Sequence, residues 1–133
     1  LSLGFRILGR ETKVSGIAPI LWDEDRKVDI ARIANATAKL LQCDLELSPS
    51  DILSSDEYIG ERYGVLTQEG RDALKLVAET EGIFLDPVYT SKAMAGMIDQ
   101  IRKGIIRKNE TVVFIHTGGL PALFAYAEDL MLS

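Results

Sequence analysis

Four consecutive strand-favouring residues, Val112-Val113-Phe114-Ile115, run directly into His116-Thr117-Gly118-Gly119 and then Pro121-Ala122-Leu123. A short unbroken apolar run closed by turn residues predicts a buried strand. The paired glycines permit a tight turn with exposed backbone N–H groups, and the Thr117 hydroxyl sits at the strand's carboxyl end. A second polar turn, Asp86-Pro87-Val88-Tyr89-Thr90, opens onto the helical segment Ser91-Lys92-Ala93-Met94-Ala95-Gly96-Met97. Asp86 before Pro87 reads either as a turn former alone or as one that also braces the Tyr89 loop. Ligands of open parallel sheets collect beyond the carboxyl ends of the strands, so Tyr89 and Thr90, after Phe84-Leu85, are expected to share a crevice with Thr117.

The rest of the chain alternates strand and helix signals in the manner of an α/β domain with right-handed crossovers and a parallel sheet. Residues 12–21 form a β-rich apolar run. Asp23 then offers an N-cap, with Glu24 and Asp25 suiting the first turn, to a helix reaching about Gln42 whose apolar face holds Val28, Ile30, Ile33, Ala34, Ala38, Leu40 and Leu41. Residues 48–66 break the pattern, and the loop at 48–64 is the expected internal division. Thr67 caps a helix carrying Ala73, Leu74, Val77 and Ala78 at helical spacing until Gly82 stops it. Ile83-Phe84-Leu85 reads as a short strand or a tight connection. Ser91 is the expected cap of the next helix, which has Met94, Met97, Ile98 and Ile101 on one side and ends at Gly104, before the last strand at 111–115.

An apolar fraction of 47% in 133 residues suffices for the core of one compact unit or part of one. The net charge of −5, with both signs mixed along the chain, excludes a phosphate-tracking or anionic-membrane surface and leaves small molecules as the expected partners. A lone cysteine, Cys43, forms no internal disulfide and has no nucleophile partner in sequence. With no signal peptide and no apolar run of membrane length, the chain reads as cytoplasmic. His116, the single histidine, stands at the end of an apolar strand and is read as a buried, hydrogen-bonded residue rather than a base. No metal site is expected, because it has no partners at ligand spacing. Met94 and Met97 read as core.

The phrases DPVYT-SKAMAGMID and FIHTGG-PALFAY occur in order and at the expected separation over about the last half of the chain. Together they resemble the C-terminal part of the D-cysteine desulfhydrase and 1-aminocyclopropane-1-carboxylate deaminase family, whose cofactor is pyridoxal phosphate. The resemblance implies an α/β, parallel-sheet portion of a tryptophan-synthase-β-like (fold type II) enzyme. On that basis residues 1–133 are an incomplete C-terminal portion, opening at Leu1 inside a helix, with the Schiff-base lysine and the Ser/Gly-rich phosphate loop upstream. Lys92, in a first helical turn, is a poor candidate for that lysine. Family members are commonly homodimers, which implies the same here.

Site residues follow from the same resemblance. Tyr63, in Arg62-Tyr63-Gly64, and Tyr89 match active-site tyrosines beside the substrate. Thr90 and Thr117 fall at two positions near the cofactor ring where deaminase members usually carry glutamate and leucine, respectively. Gly118 and Gly119 are expected to let the backbone approach the cofactor. A neutral hydroxyl at the pyridine nitrogen draws electrons less strongly than a carboxylate partner would, which suits loss of a good leaving group such as hydrosulfide better than opening of a cyclopropane. The expected reaction is α,β-elimination from a small amino acid, D-cysteine first. Rival readings are 1-aminocyclopropane-1-carboxylate deaminase, a sulfo-lyase acting on L-cysteate, and a non-catalytic binding or assembly module.

Overall fold

The computed structural model describes residues 1–22 and 25–131. Its elements are α1 (Ser2–Ile7), β1 (Ser15–Ile17), α2 (Arg26–Leu40), a 3-10 turn (Pro49–Asp51), β2 (Leu53–Ser55), α3 (Gln68–Glu81), α4 (Thr90–Arg102), α5 (Ala122–Ala125) and α6 (Ala127–Met131). Strands β1 and β2 pair in a parallel two-stranded sheet. The chain divides into two compact units, Leu1–Gly16 with Trp22–Ser55, and Ile17–Leu21 with Asp56–Ser133. The later boundary falls inside the loop that the sequence marks as a division.

In the first unit, Leu3, Ala31, Ala38, Leu47 and Ile52 are buried together, with Ile30, Ala34 and Cys43 packed against them. Asp25 caps α2 by accepting the Lys27 N–H at 2.9 Å; the expected cap, Asp23, lies outside the described residues, as does Glu24. The helix presents alanines to the core, whereas Val28, Ile33, Leu40 and Leu41 are exposed, so the broad apolar face read from the sequence is only partly covered. Asn35 on α2 holds residue 47 like a rung of a ladder. Its amide donates to the Leu47 carbonyl at 2.9 Å and its oxygen accepts the Leu47 N–H at 2.8 Å. Cys43 donates to the Leu41 carbonyl at 3.6 Å, a structural role.

The second unit is built on the packing of α3 against α4 around Ala73, Val77, Leu85, Met94 and Ala95, with Leu74, Met97, Ile98 and Phe114 alongside. Helix α3 starts and stops where the sequence says. The Thr67 hydroxyl accepts the Gly70 N–H at 3.0 Å, and Gly82 closes the helix at φ +65°, a left-handed value that costs glycine little. Gly96 on α4 is required by close approach, since a Cβ there would stand 3.0 Å from both the Tyr58 ring and Ile17 Cδ1.

Two strand expectations change, and one open choice is settled. The run at 12–21 yields only the three residues of β1, and Ile83-Phe84-Leu85 is a connection. Residues 111–116 form no strand among the described residues, although Phe114 packs inward while Val113 is 80% exposed. A strand is defined by a neighbour to bond to, and no described segment of this chain supplies one there. Among the described residues no helix is long and apolar enough to cross a membrane, and no cluster of three or more His, Cys, Asp or Glu is arranged to hold a metal.

Leu85 is fully buried at the centre of the second core. Leu85→Ala should therefore destabilise the protein by about 3 kcal/mol, read as a lowered urea midpoint at unchanged slope.

Candidate active site

The turn before α4 is organised by one carboxylate. Asp86 is fully buried; its Oδ2 accepts the N–H groups of Val88 and Tyr89, each at 2.8 Å, and its Oδ1 accepts the N–H and the hydroxyl of Thr90, each at 2.7 Å. The Thr90 hydroxyl in return accepts the Asp86 N–H at 2.7 Å. Burial pushes the Asp86 carboxyl upward, but the hydrogen bonds from Thr90, Tyr89 and Val88 outweigh it and hold the group below the usual carboxylate range. Asp86 is thus the cap of α4 in function, and the expected cap, Ser91, lies inside the helix. Ser91 is fully buried, and its hydroxyl has no hydrogen-bond partner among the described residues. A carboxylate reaching three successive N–H groups satisfies more of the helix start than a serine hydroxyl does.

The second turn rests on the same carboxylate. Gly118 and Gly119 have φ of +100° and +94°. A Cβ added to Gly119 would come within 2.7 Å of Asp86 Cγ, so only glycine lets the backbone lie against Asp86. His116 shapes this turn, with Nε2 bonded to the Phe84 carbonyl at 2.9 Å and Nδ1 accepting the Gly118 N–H at 3.1 Å. That pair of bonds assigns the neutral tautomer with its proton on Nε2. The histidine is exposed rather than buried, yet both nitrogens are engaged in structure. Thr117, between them, is exposed.

Tyr63 and Tyr89, 26 residues apart, hydrogen-bond through their hydroxyls, with ring centroids 6.0 Å apart and planes at 61°. Both rings are nearly half exposed. The hydrogen bond to Tyr63 raises the Tyr89 phenol above its ordinary value, and burial and the Tyr63 and Asp86 charges push the same way. At neutral pH the Tyr89 phenol therefore keeps its proton.

Of the expected site residues, Tyr63 and Tyr89 meet each other and Thr90 and Gly119 meet Asp86, with roles that differ in kind. Tyr63 and Tyr89 present hydroxyls at the surface, as does Thr117. Thr90 is 1% exposed and its hydroxyl is committed to Asp86, so it acts on the site by fixing the turn. The Gly118 N–H is likewise committed to His116. Lys92 is 1% exposed and donates to the Ile59 carbonyl at 2.6 Å; burial pushes its ammonium below the usual lysine value. It is not placed to carry a cofactor. Two residues that sequence reasoning missed shape the site: Tyr126, whose hydroxyl donates to the Gly64 carbonyl, and Ile59 through its backbone. Tyr126 closes the PALFAY phrase but was not read as a site residue, and Ile59 belongs to no motif; only the folded chain brings them to the Tyr63 loop.

Residues 1–118 match the family model of pyridoxal-phosphate-dependent enzymes. A 1-aminocyclopropane-1-carboxylate deaminase of Rhizobium rhizogenes is 39% identical over 127 residues, covering 96% of this chain and 38% of the relative. The crystal structure of an ACC deaminase homologue superposes with a TM-score of 0.84 at 35% identity, over 98% of this chain and 38% of that one. The chain belongs to the pyridoxal-phosphate-dependent enzyme family, in its D-cysteine desulfhydrase and 1-aminocyclopropane-1-carboxylate deaminase group, and has the fold of the type II enzymes. It spans 38% of the length of both relatives. The exposed Thr117 hydroxyl, the glycine backbone at 118–119 and the tyrosine pair fit the ring and substrate side of that cofactor, whereas its aldehyde would need an amine that this site does not present.

Asp86→Asn keeps the shape but turns an NH2 toward N–H donors, so it should destabilise the intact protein by about 2–3 kcal/mol at pH 7 in urea denaturation. Because the folded carboxyl lies below its unfolded value of about 3.9, the charge contributes in full above that value and is lost as pH falls through the folded one. The gap between wild type and variant should accordingly narrow only below about pH 4.

Proposed function

We propose that the intact protein is a pyridoxal-phosphate-dependent lyase that removes hydrosulfide from D-cysteine, with water giving pyruvate, sulfide and ammonia. The observation that carries this reading is the pair Thr90 and Thr117, neutral hydroxyl residues at the two positions where deaminase members of the group usually carry an acid and a leucine. The bound cofactor supplies the electron sink that makes the substrate α-carbon acidic and lets a β-substituent leave. Thr117 would hydrogen-bond the pyridine nitrogen without holding it charged, which would moderate that sink. Thr90, locked to Asp86, keeps a carboxylate away from the ring while fixing the turn that carries Tyr89. Tyr89, hydrogen-bonded with Tyr63, would face the substrate as a proton donor, and its raised value suits a donor rather than a base at neutral pH.

On this reading the lysine that carries the cofactor and the cradle for its phosphate lie outside these 133 residues, a reading supported by Lys92 being buried and spent on Ile59. A deaminase acting on 1-aminocyclopropane-1-carboxylate is the second reading, favoured by the name of the R. rhizogenes relative and disfavoured by the two threonines.

In the intact enzyme, Tyr89→Phe should slow pyruvate release from D-cysteine by more than about tenfold, and a rate near wild type would remove Tyr89 from the machinery. Thr90→Glu combined with Thr117→Leu should shift the ratio of kcat/KM values from D-cysteine toward 1-aminocyclopropane-1-carboxylate. An unchanged ratio would overturn the substrate assignment.

A further inference from the structure

Lys92 is an expensive residue where it stands. Its side chain is 1% exposed, its ammonium meets one backbone carbonyl, Ile59 at 2.6 Å, and among the described residues no carboxylate pairs with it. It also sits in the first turn of α4, the end of a helix where a cation is unfavourable. What it holds is the start of the loop that carries Tyr63. Ile59 is itself 3% exposed, Gly60 then turns the chain at φ +76°, and Tyr63 follows three residues on. The far side of the same loop is held by a second, independent bond, from the Tyr126 hydroxyl to the Gly64 carbonyl, with Gly64 at φ +79°. Between these two ties the Tyr63 ring reaches Tyr89, which stands on the turn that immediately precedes Lys92.

We propose that Lys92 and Tyr126 are positioning residues that clamp the loop at 59–64 from both sides and so set the Tyr63 hydroxyl against that of Tyr89. The inference rests on the reading above that the tyrosine pair serves the reaction. The clamp is economical in geometry, because Lys92 rides on the same helix start as Tyr89 and ties the two tyrosines to one frame. Strand pairing does not fix this loop among the described residues, so its placement depends on such side-chain ties.

The test uses the intact holoenzyme and the substitutions Lys92→Met, Tyr126→Phe and Tyr63→Phe, singly and with each clamp variant combined with Tyr63→Phe. Tyr126→Phe removes a single hydroxyl and serves if Lys92→Met does not fold. The first readout is kcat for elimination from D-cysteine. Each clamp variant should lower it about tenfold in the wild-type background and leave it unchanged once Tyr63 is already phenylalanine; an equal loss in both backgrounds would mean a general structural role and overturn the proposal. The second readout needs no turnover: the titration of Tyr89 followed by NMR of ring-labelled tyrosine. The groups that raise this phenol are Tyr63, by its hydrogen bond first, and then Asp86, so Tyr63→Phe should lower the Tyr89 titration and each clamp variant should move it the same way. An unmoved titration in both clamp variants would also overturn the clamp. If Tyr63→Phe leaves kcat at the wild-type value, the catalytic reading of the tyrosines fails instead, and the titration alone decides the clamp.

Discussion

One buried carboxylate holds the candidate site together. Asp86 gathers three successive backbone N–H groups and a hydroxyl, which starts α4, aims Tyr89 outward and turns Thr90 inward. The same side chain is the floor on which Gly119 lies, so the turns before α4 and after residue 116 share one support. An acid group in so enclosed a place is tolerable only because its charge is spread over four donors, and those donors are worth more to the charged form than burial takes away. Any residue that cannot accept from both sides of the turn would leave N–H groups of the helix start without partners.

The tyrosine pair shows a second level of construction. Neither Tyr63 nor Tyr89 is held by its own element alone. One stands on an Asp86-ordered turn, and the other lies on a loop tied by a lysine and a tyrosine from elsewhere in the same unit. The hydrogen bond with Tyr63 lifts the Tyr89 phenol rather than lowering it, so at neutral pH Tyr89 keeps its proton. Such a site relies on placement more than on ionised groups of its own, which is what a cofactor able to carry the electronic burden requires.

Much of the helix layout could be read in advance because capping is local. Thr67 and Gly82 bound α3 within the reach of their own side chain or backbone, and Gly104 follows α4 at a left-handed φ. The start of α4 escaped this logic, since the turn offers both a serine and an aspartate. The aspartate prevails through geometry that becomes visible only when Val88, Tyr89 and Thr90 are folded back over it. Strands were harder still. The apolar run at 111–115 has the composition and even the inward placing of Phe114 that a strand needs, yet pairing depends on a neighbour and not on the run itself. For α2, the choice of which apolar residues face the core fell to the small ones, Ala31 and Ala38, because they allow close packing, while the larger ones stayed outside.

The motif residues, their order and their separation were sufficient to establish the family and the cofactor, and to mark two tyrosines, two threonines and two glycines as candidates, because those are properties of side-chain type at a given place in the chain. Tertiary structure alone decided that the two phenols touch, and that Lys92 is a tie and not a nucleophile. The reason is the range of the interactions involved: a cap or a turn is settled within four or five residues, whereas a bond spanning 26, 33 or 62 positions exists only after the core has brought its ends together.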